Sequence, residues 1–143
     1  MRIAGRNALV TGSSRGIGAA IARRLAADGA NVVLHARQDR AKADALALEI
    51  GAAEVVTGDL AEGDTASRLV AEAHRLTGGL DILVLNAGGG SRGLAQDLDL
   101  AAIDYTLAFN LRATILASAE FARLTQSAHG RVVFISSGMA THA

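Results

Sequence analysis

The amino-acid sequence predicts a three-layer α/β/α fold, in which helices cover both faces of a doubly wound parallel sheet of about five strands. Two observations support this prediction. Five short apolar segments alternate along the chain with longer segments of helical periodicity, which is the pattern of a parallel sheet with helical crossovers. Glycine-rich stretches follow the first and the fourth apolar segment, and such sheets bind ligands at the carboxyl ends of their strands.

Composition bounds the class of protein before any motif is considered. With 143 residues, 50% of them hydrophobic and 20% charged, the chain is expected to form a single domain over residues 1–143. A formal net charge of +0, without a block of like charges, favours neither nucleic acid nor an anionic membrane as a partner. The sequence has no run of about 18 apolar residues and no apolar signal-peptide core, so we expect a cytoplasmic protein. Cysteine is absent and the four histidines are scattered singly, so no metal site is expected.

A glycine-rich turn joins the first strand to the first helix. Residues 8–10 are suited to a buried strand, and the following helix carries apolar residues at fourfold spacing, namely Ile17, Ile21 and Leu25. Between them, Gly12 permits a tight bend, Gly16 leaves room for a pyrophosphate and Gly18 lets the helix lie close to the strand. Because a helix start attracts anions, the turn predicts a phosphate-binding site, although the glycines alone also fit a surface turn.

Four further strands and three further helices follow in order. The strands are expected at residues 32–35, 54–57, 81–85 and 131–135. The second helix is expected from about residue 39 to 50, the third between the turn at 58–60 and the glycines at 78–79, and the fourth from about 100 to 125. The residues expected to face inward are Ala43, Leu46, Ala47 and Ile50 in the second helix and Leu69, Val70, Ala73 and Leu76 in the third.

Five motifs occur in an order that is typical of one family. They are Thr11-Gly12-Ser13-Ser14-Arg15-Gly16-Ile17-Gly18 after the first strand, Asp59 after the third, Asn86-Ala87-Gly88 after the fourth, Phe109-Asn110-Leu111 in the long helix, and Ser136-Ser137 after the fifth strand. Together they resemble the coenzyme and active-site motifs of the short-chain dehydrogenase/reductase family, over essentially the whole chain. Taken singly, Asp59 could cap a helix, Asn110 could be a buried polar residue, and the serines could merely end a strand.

The resemblance implies a Rossmann-type sheet of strand order 3-2-1-4-5 and a specific set of site residues. It implies an oxidoreductase that transfers hydride between a nicotinamide coenzyme and a small carbonyl or alcohol substrate, in a protein expected to be a homo-oligomer. The residues implied to bind coenzyme are Gly12, Ser14, Arg15, Gly16, Ile17, Gly18, Arg37, Asp59, Leu60, Asn86, Ala87 and Gly88. The residues implied to be catalytic are Ser137 and Asn110.

One family motif is missing from these residues. The family's Tyr-x-x-x-Lys pair, in which the tyrosine exchanges the proton and the lysine lowers its pKa, would fall near position 150, beyond Ala143. The one tyrosine is Tyr105 and the one lysine is Lys42, and neither fits that motif. We therefore expect the amino-terminal part of a reductase, with a sheet incomplete relative to the family. A coenzyme-binding module without catalysis remains the alternative.

The end of the second strand predicts the choice of coenzyme. An NAD-binding site usually has an acid here to accept hydrogen bonds from the ribose, but this sequence reads His35-Ala36-Arg37. Arg37 and Arg15 could both pair with a 2′-phosphate, which predicts a preference for NADP(H), with NAD(H) still possible. Solvated arginines are the simpler alternative, and the nearby Asp39 could serve NAD(H) instead.

Overall fold

A single five-stranded parallel sheet forms the centre of the structure, a computed structural model that describes residues 3–51, 54–90, 95–97, 99–126 and 128–137. The strands are β1 (Asn7–Val10), β2 (Asn31–Ala36), β3 (Glu54–Thr57), β4 (Ile82–Leu85) and β5 (Arg131–Phe134). Their order across the sheet is β3-β2-β1-β4-β5, and every neighbouring pair is parallel. The predicted fold class and strand order are therefore confirmed.

Helices cover the sheet from both sides. They are α1 (Gly16–Ala27), α2 (Ala41–Ile50), α3 (Thr65–Thr77), α4 (Leu100–Leu107) and α5 (Ala113–Leu124), with a short 3-10 helix at Ala95–Asp97. One apolar cluster joins the sheet to α1 and α2, and a second joins its other face to α3 and α5. Residues that follow one another in a strand therefore enter opposite layers, as Leu9 and Val10 of β1 do.

The long helix predicted over residues 100–125 is interrupted in its middle. A π-helical turn, Ala108–Arg112, lies between α4 and α5 and contains the candidate catalytic residue Asn110. The side-chain Nδ2 of Asn110 donates to the Thr106 carbonyl at 2.8 Å, the acceptor that the Asn110 backbone N–H uses in an uninterrupted α-helix. Asn110 therefore lies in an irregular turn of the helix, and turns of this kind often occur at functional sites.

The inward faces of two helices differ from the sequence prediction. In α1 the buried residues are the small ones, Gly18, Ala19 and Ala22, whereas Ile17 is 65% exposed. Because a glycine and two alanines face the sheet, α1 can approach it closely. The isoleucine and leucine side chains then lie toward the edge of the contact between α1 and the sheet. In α3 the prediction was right for Leu69, Val70 and Ala73, but Leu76 is 36% exposed.

Part of the sheet surface beside β5 has no helix over it among the described residues. A mainly apolar groove of about 430 Å³ runs between α1 and this part of the sheet, lined among others by Ile21, Leu25, Ile82 and Val133. Val133 itself is 43% exposed. The segment Leu100–Leu124 is also long and apolar enough to cross a membrane by length and composition, which as a single helix is weak evidence for a span. Its second half, α5, packs along α3.

Candidate functional site

The glycine-rich turn after β1 is tied to the end of β4 by hydrogen bonds. Thr11 Oγ1 accepts from the backbone N–H groups of Asn86 and Ala87, both at 3.0 Å. The Asn86 side chain returns the contact, since its Nδ2 donates to the carbonyls of Thr11 at 3.0 Å and Gly12 at 3.2 Å. Thr11 and Asn86 therefore hold two separate motifs of the sequence together as one rigid floor.

Glycine is required at three positions of this turn. Gly12 and Gly16 have φ angles of +63° and +58°, in the left-handed region that favours glycine. A Cβ atom at Gly18 would lie 2.4 Å from the Gly12 carbonyl oxygen and 2.5 Å from Asn86 Nδ2, closer than atoms can approach. The sequence-based roles of tight bend and close helix approach fit this geometry.

His35 lies under the turn and links it to the end of β3. Its ring Nδ1 accepts from the Gly12 backbone N–H at 3.0 Å, so the ring proton is on Nε2, which donates to the Gly58 carbonyl at 2.9 Å. Burial lowers the pKa of His35 below its ordinary value of 6.5, while the Gly58 carbonyl and the Asp59 carboxylate partly oppose that shift. The neutral ring therefore acts as a bridge between the two loops. This role of His35 could not be predicted from the sequence, because a lone histidine at a strand end carries no distinctive pattern.

A cleft of about 560 Å³ opens over the turn. It is lined by Gly12, Ser14, Arg15, Gly16, Ile17, His35, Arg37, Leu60, Asn86, Ala87, Gly88 and Phe109. Ten of the twelve residues implied to bind coenzyme line this cleft. Gly18 does not, because it packs beneath the turn, and Asp59 lies just beside Leu60 at the rim. The charged lining residues are Arg15 and Arg37, so the cleft suits an anion.

Arg37 reaches across the rim of this cleft to α4. Its Nη1 donates to the Tyr105 hydroxyl at 3.1 Å and lies 4.0 Å from Asp59 Oδ2. The other carboxylate oxygen of Asp59 accepts from the Ala61 backbone N–H at 2.9 Å. Tyr105 first, and Asp59 to a smaller extent, raise the pKa of Arg37, so the guanidinium is charged at every physiological pH.

A second, adjoining cleft of about 860 Å³ contains both candidate catalytic residues. Asn110 and Ser137 line it, together with Thr114, Phe134 and Ser136 among others, and it shares Ile17 and the Asn86–Gly88 segment with the first cleft. The glycine-rich segment after β4 thus separates the two clefts. Residues 91–93 of that segment lie outside the described part of the chain. Asn110, from the π-helical turn, and Ser137, from the segment after β5, thus line one cleft although they are 27 positions apart in the sequence.

Asn110 holds this glycine-rich segment in position. Its Oδ1 accepts from the Gly89 backbone N–H at 3.1 Å, and its Nδ2 donates to the Gly89 carbonyl at 2.5 Å. Asn110 is exposed to the cleft, so the alternative that it is a buried polar residue is wrong. Its side chain acts as a clamp that holds Gly89 through both the N–H and the carbonyl. Its own carbonyl accepts from Thr114 Oγ1 at 2.7 Å.

Three residues raised by the sequence analysis lie away from the second cleft. Asp39 Oδ1 accepts from the Ala41 backbone N–H at 3.0 Å, in a turn that leads into α2. Lys42 is an exposed residue of α2, and Tyr105 is held by Arg37 on α4. Neither Tyr105 nor Lys42 lines the cleft that holds Asn110 and Ser137.

Comparison with known proteins gives consistent matches. The family model described as short chain dehydrogenase matches residues 6–143. The cyclic-di-GMP-binding biofilm dispersal mediator protein of Escherichia coli (strain K12) is 43% identical over 133 residues, which are 93% of this chain and 54% of that protein. Glucose 1-dehydrogenase of Gluconobacter oxydans (strain 621H) is 36% identical over 143 residues, which are 95% of this chain and 53% of that protein.

A solved structure matches the fold closely. The crystal structure of a short chain dehydrogenase from Burkholderia cenocepacia J2315 in complex with NADP has a TM-score of 0.94 and 43% sequence identity. The match covers 100% of this chain and 60% of that one. The chain thus spans about half the length of the curated relatives it matches.

Proposed function

Because the chain belongs to the short-chain dehydrogenase family, we propose that it forms the coenzyme-binding part of an NADP(H)-dependent oxidoreductase. The reaction is hydride transfer between the nicotinamide and a small carbonyl or alcohol substrate. Family membership supports an oxidoreductase, and the two arginines of the first cleft support a coenzyme with an additional phosphate.

The residues of the first cleft fit a dinucleotide. The start of α1 offers backbone N–H groups to a pyrophosphate, and a Cβ atom is absent at Gly16, where the chain leaves open space. Leu60 offers an apolar surface to an adenine ring, and Asp59 offers a carboxylate at the rim. Arg15 and Arg37 supply the positive charge for a 2′-phosphate.

The second cleft supplies the groups for a substrate. The nicotinamide, when bound, supplies or accepts the hydride. Ser137 carries a hydroxyl that donates to the substrate oxygen and so orients the carbonyl, while Asn110 keeps the Gly89 loop in place beside it. The observation that carries the proposal is that the Asn86–Gly88 segment is shared by both clefts, because it brings a dinucleotide site against a polar substrate site.

A second candidate function is coenzyme binding without hydride transfer. It is favoured by the positions of Tyr105 and Lys42, the one tyrosine and the one lysine of these 143 residues, outside the substrate cleft. A serine hydroxyl is a weak acid, so Ser137 does not replace an acidified tyrosine as proton donor. Residues 1–143 by themselves should then bind coenzyme and turn over no substrate.

The proposal also covers the oligomeric state, the partners and the location of the protein. Exposed apolar residues follow one another at fourfold spacing along the outer face of the α4–α5 segment, namely Leu107, Leu111 and Ile115. This stripe supports association with a second copy. A small-molecule substrate, a cytoplasmic location and the absence of nucleic-acid and membrane partners stay predictions from composition and family.

NADPH oxidation over a panel of ketones and aldehydes tests the proposed reaction. The naturally encoded protein should oxidise NADPH with at least one of them, and residues 1–143 alone should be slower by about 10²-fold or more, the typical contribution of general acid catalysis. Ser137→Ala in the natural protein should lower turnover with little effect on NADPH binding. No oxidation by the natural protein, with NADPH bound, would favour the second candidate.

A further inference from the structure

One nitrogen of the Arg37 guanidinium is already engaged in the structure. Nη1 donates to the Tyr105 hydroxyl at 3.1 Å, and the Asp59 carboxylate lies 4.0 Å from the same nitrogen. These are the hydrogen bond and the ion pair that the structure gives this side chain among the described residues. Arg37 is otherwise solvent-accessible at the rim of the coenzyme cleft.

The geometry of a guanidinium group determines what remains available. Its five N–H groups point outward in a fixed plane, and the Nε and Nη2 hydrogens form one edge that accommodates two oxygens of an anion side by side. Arg23 uses this same edge on Glu49, with Nε–Oε1 at 2.6 Å and Nη2–Oε2 at 2.7 Å. Tyr105 and Asp59 engage Nη1, and no described residue takes up the Nε–Nη2 edge of Arg37.

Tyr105 is itself held by its surroundings. Its ring lies 5.8 Å from that of Phe109, one turn further along the helix, in a tilted arrangement. Phe109 in turn lines the coenzyme cleft. The hydroxyl is therefore carried on a side chain with restricted freedom, and it reaches a residue 68 positions earlier in the sequence.

We propose that Tyr105 is a specificity-determining residue, which positions Arg37 so that its Nε–Nη2 edge receives the 2′-phosphate of NADP(H). The proposal rests on the proposed function, since it needs a coenzyme in the first cleft. A long arginine side chain that is already oriented loses less conformational freedom on binding, and that gain applies only to a ligand that carries the 2′-phosphate. NAD(H), which lacks this group, gains nothing from the orientation of Arg37.

Calorimetric titration of the naturally encoded protein tests the role of Tyr105. Tyr105→Phe removes the hydroxyl and retains the ring against Phe109. It should weaken NADP⁺ by about 5- to 10-fold, the effect of one hydrogen bond, and leave NAD⁺ within about twofold. The same contrast should appear between 2′-AMP and 5′-AMP. Ser118→Ala, which removes a hydroxyl from α5 away from both clefts, should change neither affinity.

A double-mutant cycle separates positioning from a general effect on the fold. Arg37→Ala should weaken NADP⁺ by about 10- to 100-fold, and adding Tyr105→Phe to it should cause no further loss. The inference is overturned if Tyr105→Phe binds NADP⁺ as well as the unaltered protein, weakens both coenzymes equally, or still weakens NADP⁺ without Arg37. If the unaltered protein binds neither coenzyme, the proposed function fails together with it. If the unaltered protein and Tyr105→Phe prefer NADP⁺ over NAD⁺ to the same degree, only the inference about Tyr105 fails.

Discussion

The backbone N–H of Gly12 donates to Nδ1 of His35 at 3.0 Å, which makes a neutral imidazole part of the glycine-rich turn after β1. The opposite nitrogen donates to Gly58 at the end of β3. A protonated ring would carry a hydrogen on both nitrogens, so Nδ1 could no longer accept from Gly12. The turn therefore depends on His35 remaining neutral.

Stability should decrease in mild acid because of His35. The folded state lowers the pKa of this histidine by burial, so below about pH 6.5 the unfolded chain takes up a proton that the folded chain excludes. The contribution of His35 to the free energy of unfolding is thus complete above the pKa of the unfolded state. It falls as the pH drops from there toward the pKa of the folded state, by at most about 1.4 kcal/mol per pH unit. Urea unfolding at a series of pH values from about 5 to about 8 measures this slope, because an ordinary histidine titrates within that range.

Two variants isolate the contribution of His35 to that slope. His35→Gln keeps an acceptor and a donor but does not titrate, so its unfolding free energy should depend less on pH. Ser118→Ala, which removes a non-titrating hydroxyl from α5, should keep the slope of the unaltered protein. Equal slopes for His35→Gln and the unaltered protein would show that another group is responsible.

Gly18→Ala should disrupt the floor of the site. The new methyl group would lie within 2.5 Å of the Gly12 carbonyl and the Asn86 amide, both fixed by other hydrogen bonds, so the backbone has to move. We expect a loss of about 1–3 kcal/mol in unfolding free energy, together with a loss of coenzyme binding. Ala20→Ser on the exposed side of α1 is the control. An unchanged melting temperature of Gly18→Ala would mean that the turn can accept a methyl group at this position.

Asn110→Asp should release the Gly89 loop. A carboxylate still accepts from the Gly89 N–H, but it repels the carbonyls of Gly89 and Thr106, to which the amide donates. We expect a loss of about 1–3 kcal/mol and faster hydrogen exchange at Gly89. Asn31→Asp breaks a single exposed hydrogen bond to Asn7 at the opposite end of the sheet and should cost less. Equal losses in the two variants would argue against the clamp.

Arg15→Ala should weaken coenzyme binding without affecting the fold. The Arg15 side chain makes no hydrogen bond or ion pair within the described residues, and it lines the first cleft at the start of α1. One lost charged contact corresponds to about 10-fold or more in NADP⁺ affinity. Arg40→Ala, in which the lost partner is Asp44 on α2, should leave that affinity unchanged. A lower melting temperature for unliganded Arg15→Ala would indicate a structural role instead.

The sequence predicted the parts of the structure that depend on local pattern. Short apolar runs separated by helical periods predicted all five strands, and glycines at strand ends predicted where the two clefts lie. Fourfold spacing was less informative in α1, because it identifies a stripe of apolar residues but not which side of the stripe meets the sheet. There the small residues beside Gly18 determine the contact, and Ile17 faces the clefts.

Contacts between distant segments were beyond prediction from the sequence. His35 joins Gly12 and Gly58 only because β1, β2 and β3 lie side by side. Tyr105 of α4 meets Arg37 although 68 positions separate the two residues in the sequence. The π-helical turn at Asn110 was missed for another reason. A single extra residue within one helical turn leaves no periodic signal in an apolar helix.

Calorimetric titration of the naturally encoded protein with NADP⁺ and with NAD⁺ measures its coenzyme preference directly. Two arginines, Arg15 and Arg37, line the first cleft, and the nearest acid after β2, Asp39, accepts a hydrogen bond from the Ala41 backbone N–H. NADP⁺ should therefore bind at least about 10-fold more tightly than NAD⁺, as one charge-assisted contact would provide. NAD⁺ binding that equals or exceeds NADP⁺ binding would contradict the account.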